Sequence, residues 1–332
     1  MRIGLLTSGG DAPGMNAAIR AVVRQADALG SEVMGIRHGY QGLVDQDWEP
    51  LASRACANIL QRGGTILHTA RCEPFFHSDV RAKAAADLRA AGIEALVIIG
   101  GDGSFTGAEL LNREHGIRCA GIPGTIDNDL PGTERTLGFD TALNTAVEAI
   151  DRIRDTASSH DRLFLVEVMG RRSGMLAVHT AIACGAEAVL YPESEEDTYE
   201  SLVRQLKSNW DRGKRSSIVV VAEGDQAGNA ALRGGIGSAA VDIGERLKKD
   251  YEMELRVVVL GHIQRGGSPS ALDRIWGSRW GCESVLRLVA GESAFYLGTE
   301  AGQMVARPLS YVLESRPEPP KELSSLVRVL SR

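Results

Sequence analysis

The sequence predicts an α/β protein of two layered domains with mostly parallel sheets, and three observations carry that reading. Short apolar, β-branched runs recur at Ile3 to Leu6, Leu96 to Ile99, Leu163 to Val168, Ile218 to Val221 and Val257 to Leu260, each with glycine close behind. Runs apolar on both faces are the mark of buried parallel strands. Helical patterns alternate with them, as an α/β fold requires. The length of 332 residues exceeds what one hydrophobic core organises, and a composition of 43% hydrophobic and 24% charged residues supplies enough apolar surface for two.

The first strand runs into Thr7-Ser8-Gly9-Gly10-Asp11-Ala12-Pro13-Gly14, and a helix is expected from Met15. Met15, Ile19, Val22, Val23, Ala26 and Leu29 fall on one stripe, with Arg20 and Arg24 off it. Small residues and free N–H groups at a helix N-terminus suit an anion. A tight turn that packs helix on sheet would demand glycines as well. The stretch Ile98-Ile99-Gly100-Gly101-Asp102-Gly103-Ser104 repeats the design with one carboxylate among glycines. Asp102 is the candidate ligand for Mg²⁺, an ion that combines one or two carboxylates with substrate oxygens; capping the next helix is the other use for an Asp there. The chain has no Gly-x-x-x-x-Gly-Lys-Ser/Thr and no protein-kinase motif set, so a nucleotide would be bound by another scheme.

After Cys119 to Ile122 comes Pro123-Gly124-Thr125-Ile126-Asp127-Asn128-Asp129. A hydroxyl nucleophile needs a base within hydrogen-bond reach. Two nearby acids repel unless metal, substrate or cations offset them, and an Asx turn accounts for one Asp but not both. The glycine-rich stretch ending near Gly138, followed by the stripe Leu143, Val147, Ile150 and Ile153, marks a domain crossing. Glu193 to Asp197 and Gly224 to Gly237 read as surface loops, and RPEPPKEL as a solvated connection before a final short helix.

A net charge of -6 argues against a nucleic-acid partner, which would need a clustered basic surface. Cys56, Cys72, Cys119, Cys184 and Cys282 are odd in number and form no Cys-x-x-Cys pair, as expected of a reducing compartment. The opening MRIGLLTSGG lacks a signal-peptide core, and no apolar run approaches the roughly 20 residues that span a bilayer. A cytoplasmic protein without a membrane partner is expected.

The motifs TSGGDAPGMNAAIR, RGGT, IGGDGS, PGTIDND, VEVMGR and GHIQRGGSP, in this order, resemble the bacterial ATP-dependent 6-phosphofructokinases from Met1 to about residue 300. The resemblance implies the phosphofructokinase fold of two three-layer αβα domains. Residues 1–138 plus about 264–306 would bind ATP, and 139–263 plus about 307–332 fructose 6-phosphate. It implies a glycolytic kinase moving the γ-phosphoryl of ATP, the co-substrate, to the 1-hydroxyl of D-fructose 6-phosphate, giving fructose 1,6-bisphosphate and ADP, with Mg²⁺. Asp127 would be the base, Thr125 and Ile126 would line the acceptor site, and Asp129 would lie beside them. Gly10, Arg71, Cys72, Gly101, Asp102, Gly103 and Ser104 would bind ATP, with Asp102 holding its magnesium.

Met169, Gly170 and Arg171 would contact the sugar phosphate, Arg171 also stabilising the transferring group. Glu223 would accept a sugar hydroxyl. His262, Ile263, Gln264 and Arg265 of GHIQRGG, with Arg162 and Arg256, would bind substrate, the last two reaching across from a neighbouring subunit of a homotetramer. Arg20, Arg24, Arg154, Gly185, Glu187, Arg212, Lys214 and Arg215 match the family's effector site for ADP and phosphoenolpyruvate, implying allosteric control. Pyrophosphate-dependent relatives typically carry Asp and Lys where this chain has Gly103 and Gly124, which favours ATP as donor. A nucleotide sensor without catalysis would have no need of Asp127.

Overall fold

The computed structural model describes residues 1–224, 237–251, 254–314 and 317–331. Residues 225–236 of the expected Gly224 to Gly237 loop lie outside the described residues. The strands are β1 (Arg2–Thr7), β2 (Glu32–Ile36), β3 (Trp48–Pro50), β4 (Ala95–Gly100), β5 (Arg118–Thr125), β6 (Leu137–Gly138), β7 (Leu163–Val168), β8 (Ala188–Leu190), β9 (Ser217–Ala222), β10 (Leu255–Val259), β11 (Phe295–Glu300) and β12 (Gln303–Pro308). The helices are α1 (Met15–Ala28), α2 (Gly39–Asp45), α3 (Ser78–Ala90), α4 (Asp102–His115), α5 (Phe139–Ser159), α6 (Met175–Cys184), α7 (Tyr199–Asp211), α8 (Ala239–Tyr251), α9 (Ala271–Val289) and α10 (Lys321–Leu330). No described helix is long and apolar enough to cross a membrane.

The chain forms two compact units. The first comprises 1–126, 130–141 and 265–317; the second 127–129, 142–264 and 318–332. The first holds a sheet ordered β12-β11-β5-β4-β1-β2-β3, with β6 beside β5. Its centre is parallel, while β3 and β12 close the edges antiparallel. Leu6, Leu96 and Ile98 meet Leu88, Phe105 and Leu111 of α3 and α4 on one face. Alternate residues point to the other face, where α9 packs on β4 and β5. Each such fully buried aliphatic side chain contributes about 1.5–3 kcal/mol over exposure. Leu29, expected on the buried stripe of α1, is instead 43% exposed as the residue just past the last turn.

The Ala-rich face of α1 lets α9 approach closely. A Cβ at Gly281 would sit 2.6 Å from Ala21 Cβ and 2.7 Å from the Ala18 carbonyl oxygen, so only glycine fits there. Two turns earlier on α9, buried Asp273 caps α5: its carboxylate accepts from Gly138 N and Thr141 N, each at 3.0 Å, and from Thr141 Oγ1. Burial pushes this carboxyl from its ordinary 3.8 up to about 6, and the three hydrogen bonds only partly oppose that. Because the folded value exceeds the unfolded one, the folded protein binds more protons between them, and this group's contribution to stability falls as pH rises from about 4 to 6. The stability of the wild type relative to Asp273→Asn is expected to drop by about 2 kcal/mol over that window, measured by urea unfolding at each pH.

The family-based boundary placed the return to the second domain at about 307. The structure keeps 307–314 in the first unit, because Arg307 and Pro308 complete the ladder of β12 with β11 and Leu309 and Val312 join that unit's core. The return comes at Pro317 and Glu318.

The second unit is built on a four-stranded sheet ordered β10-β7-β9-β8, parallel throughout. Leu165, Leu190, Val219 and Val221 pack against Leu202 and Leu206 of α7 and Ile243 and Leu247 of α8. Helix α6 packs on β8 and β9 and is itself covered by α10. Edge strand β10 is the least enclosed, with Val259 49% exposed. The turns within 193–197 are partly exposed, yet Glu193 accepts hydrogen bonds from Gly174 N at the start of α6.

Candidate functional site

In the first unit, the carboxyl ends of β1 and β4 carry the two glycine loops. Ser8 N donates to Ile99 O at 3.0 Å, joining them. Thr69 Oγ1 donates to Gly9 O and Thr7 Oγ1 to His68 O, which tie the segment before Arg71 to the first loop. Asn16 on α1 holds the RGGT segment, donating to Arg62 O and Gly63 O and accepting from Ile66 N. A Cβ at Gly63 would lie 2.3 Å from Gly267 O, so RGGT and the glycines of GHIQRGGSP pass in contact. Arg71 is exposed and Cys72 half-buried, its thiol raised by burial. Gly10 lies against the Arg265 guanidinium, which donates to Asp11 O.

The glycines of IGGDGS divide by cause. A Cβ at Gly100 would lie 2.5 Å from Ser104 Oγ and 2.6 Å from Ser8 O, so the fold requires glycine there. A Cβ at Gly101 would make only ordinary contact with Thr125, and one at Gly103 would meet nothing. Neither backbone is left-handed. Packing therefore explains Gly100 and leaves Gly101 and Gly103 as a bare surface at the N-terminus of α4, beside half-buried Asp102 and buried Ser104. Asp102 opens α4 and accepts from Gly103 N, while the cap position is Gly101, which has no side chain to cap with. One carboxylate at a helix N-terminus, flanked by glycines that carry no side chain, fits a magnesium ion that arrives with phosphate oxygens, as Mg²⁺ keeps few protein ligands.

β5 ends at Thr125, whose carbonyl accepts from Thr136 Oγ1, and Ile126 is fully buried. Residues 127–129 belong to the second unit. Asp127 is 3% exposed; its backbone carbonyl accepts from Ser173 Oγ, and its Oδ2 lies 3.7 Å from Arg171 Nε. Asp129 is buried next to it. Past the end of β7, Gly170 (φ 138°) and Arg171 (φ 53°) form a left-handed turn that Arg171, having a Cβ, adopts only under constraint. Its amides are all engaged: Met169 N donates to Gln264 Oε1, and Gly170 N and Arg171 N donate to Glu223 Oε1. The second unit thus brings together Asp127, Met169, Gly170, Arg171, Glu223 and Gln264.

His262 and Ile263 are exposed in the short 3₁₀ turn Gly261–Arg265 after β10. Arg162 and Arg256 do not join them. Arg162 precedes β7, and Arg256 pairs with Phe164 at the amino ends of both strands, so each lies roughly 20 Å of strand from the 169–171 turn.

Of the effector candidates, those in the second unit form one connected group. Glu187 is 3% exposed, paired with Lys214 Nζ at 2.8 Å and accepting from Ile218 N, while Arg154 donates to the carbonyls of Cys184 and Gly185. Arg212 and Arg215 are exposed. In the first unit, Arg24 lines an open groove with Asp27, Ser53 and Arg54, and Arg20 is half-buried on the same helix. Sequence reasoning left Arg54 outside the effector set, aligned one position away from the family's effector arginine, yet Arg54 lines the groove. It also missed Asn16 and Ser173, buried polar residues whose partners lie about 50 positions away and leave no local signal.

A phosphofructokinase family model matches residues 2–288. The chain is 54% identical to ATP-dependent 6-phosphofructokinase 1 of Thermus thermophilus and 48% identical to the ATP-dependent 6-phosphofructokinase of Shouchella clausii, each over 99% of both chains. Among solved structures, phosphofructokinase from Saccharomyces cerevisiae matches with a TM-score of 0.83 at 33% identity, over 94% of this chain and 45% of the yeast chain. With the loops, the parallel sheets and the full-length likeness in agreement, the chain belongs to the phosphofructokinase family.

Proposed function

We propose that the protein transfers the γ-phosphoryl group of ATP to the 1-hydroxyl of fructose 6-phosphate, giving fructose 1,6-bisphosphate and ADP. The observation that carries this reading is the buried Asp127 carboxylate beside the Arg171 guanidinium, in a turn whose every amide is held. Asp127 takes the proton of the attacking hydroxyl. Arg171 supplies fixed positive charge for the oxygens of the transferring group, the kind of preorganised electrostatics on which phosphoryl transfer depends. Glu223 orients the turn through one carboxylate oxygen and offers the other to a sugar hydroxyl. Thr125 and Ile126 line the acceptor site, and Asp129 stands beside it.

Gly10, Arg71, Cys72, Gly101, Gly103 and Ser104 cradle the nucleotide in this reading, and Asp102 holds its Mg²⁺, which when bound neutralises phosphate charge. Bare space at Gly103 supports a nucleotide donor over pyrophosphate. His262, Ile263 and Arg265 serve the 6-phosphate. Arg162 and Arg256, remote from the turn of their own chain, complete a neighbour's site, which supports a homotetramer. In this cytoplasmic glycolytic enzyme the arginines of α1 and the Glu187 group each serve effector binding, for ADP or phosphoenolpyruvate.

The test is a coupled assay of the purified protein with Mg-ATP and fructose 6-phosphate, run beside pyrophosphate as donor. Turnover with ATP, at the 1–100 s⁻¹ scale roughly typical of kinases, is expected. Activity with pyrophosphate alone would reject the donor, and nucleotide binding without product would reject catalysis.

A further inference from the structure

We infer that Gln264 is a positioning residue for phosphoryl transfer, acting through the 169–171 turn rather than by touching substrate. The inference rests on the proposed reaction and adds a residue to it. Gln264 is 0% exposed, so its side chain is closed off from solvent. Its amide orientation is fixed by chemistry: Met169 N is a donor, so the atom 2.9 Å away must be the oxygen. Met169 N is the first amide beyond β7, whose last carbonyls are already used by Leu260 N and Glu223 N. Without the Gln264 oxygen, that buried amide would be an orphan at the base of a left-handed turn.

The arrangement is costly. Gln264 Nε2 is buried with no acceptor among the described residues, a penalty that an apolar side chain of equal size would avoid. Penalties of this kind concentrate where function holds a conformation that packing alone would not choose. The conformation held here is that of Gly170 and Arg171, and it sets the 3.7 Å approach of the guanidinium to Asp127. Glu223 holds the far end of the turn and Gln264 the near end, so loss of either lets Arg171 relax toward right-handed backbone and withdraw its charge.

Gln264→Met keeps the volume and removes the acceptor. It is expected to lower kcat about tenfold while KM for fructose 6-phosphate changes less than about threefold, because the charge withdrawn with Arg171 acts chiefly on the transferring group. In an Arg171→Ala background the same substitution should lower kcat less than about twofold, since its effect runs through Arg171. Equal losses in both backgrounds, or unchanged kcat in Gln264→Met, overturn the assignment. Gln264→Glu retains an acceptor oxygen and is expected to keep kcat within about threefold of wild type. If the methionine variant does not fold, the glutamate variant decides: a folded protein with kcat near wild type supports positioning, and one reduced about tenfold refutes it. Failure of the underlying reaction would show separately, as wild-type protein inactive with ATP and fructose 6-phosphate.

Discussion

Asp127→Ala is expected to lower kcat by a factor on the order of 10² or more, with KM for fructose 6-phosphate changed only a few-fold. The carboxylate is enclosed and its Oδ2 faces Arg171, a guanidinium that stays protonated and cannot take over the proton. General-base catalysis accounts for roughly 10²–10⁴ in rate, or about 3–5 kcal/mol of barrier. Asp127→Asn, which keeps the shape and hydrogen-bonding oxygen, should lose nearly as much, separating proton transfer from packing. Steady-state kinetics of both variants in the coupled assay is the check. A loss confined to KM would make Asp127 a binding residue and leave the base unidentified.

The second large effect is a contrast between two neighbouring glycines. Gly103→Asp places a second carboxylate next to Asp102 on a surface where a Cβ meets nothing, so the fold should not register it. An acidic residue in the first turn of α4 even suits the helix dipole. Thermal stability is expected to hold within about 0.5 kcal/mol, whereas kcat/KM for ATP should fall about 100-fold through repulsion of the nucleotide phosphates. Gly100→Ala behaves oppositely in cause: its Cβ would strike Ser104 Oγ and the Ser8 carbonyl, costing about 1–3 kcal/mol of stability. Paired melting curves and ATP titrations separate them. A Gly103→Asp protein that melts early, or that uses ATP normally, would remove bare backbone at 103 as a reason for choosing ATP.

The strands were legible because they are apolar on both faces. Leu96 to Ile99 and Leu163 to Val168 sit inside β4 and β7 with every residue buried. The edge strands of the first sheet left no such mark: β3 is Trp48-Glu49-Pro50, and β12 mixes Gln303 and Arg307 with half-buried residues. The loops of the site were legible too, since glycine and paired carboxylates are unusual locally. What could not be read was the tertiary use of polar side chains. Asp273 caps α5 from α9, more than 130 positions away, and Glu167 on β7 accepts from Ser238 and from Ala240 N at the start of α8. Burial raises the carboxyl of Glu167, a shift no neighbouring residue in sequence announces. Gln264 reads as part of a substrate motif, and only its enclosure reveals that its oxygen serves Met169. The expected stripe of α5 was likewise only partly right: Ile150 is buried, while Leu143, Val147 and Ile153 are half-buried, and Ala142, Ala146 and Ala157 form its enclosed face.

Every step of the proposed chemistry requires the Asp127 carboxylate to reach the hydroxyl that attacks. The most direct measurement is a crystal structure of the protein with fructose 6-phosphate and a non-hydrolysable ATP analogue with Mg²⁺. The expected result is an Asp127 carboxylate oxygen about 2.6–3.2 Å from the sugar 1-hydroxyl oxygen, with that oxygen facing the γ-phosphoryl group. A carboxylate turned away from the hydroxyl, or a sugar bound with its 1-hydroxyl beyond the reach of Asp127, would contradict the account.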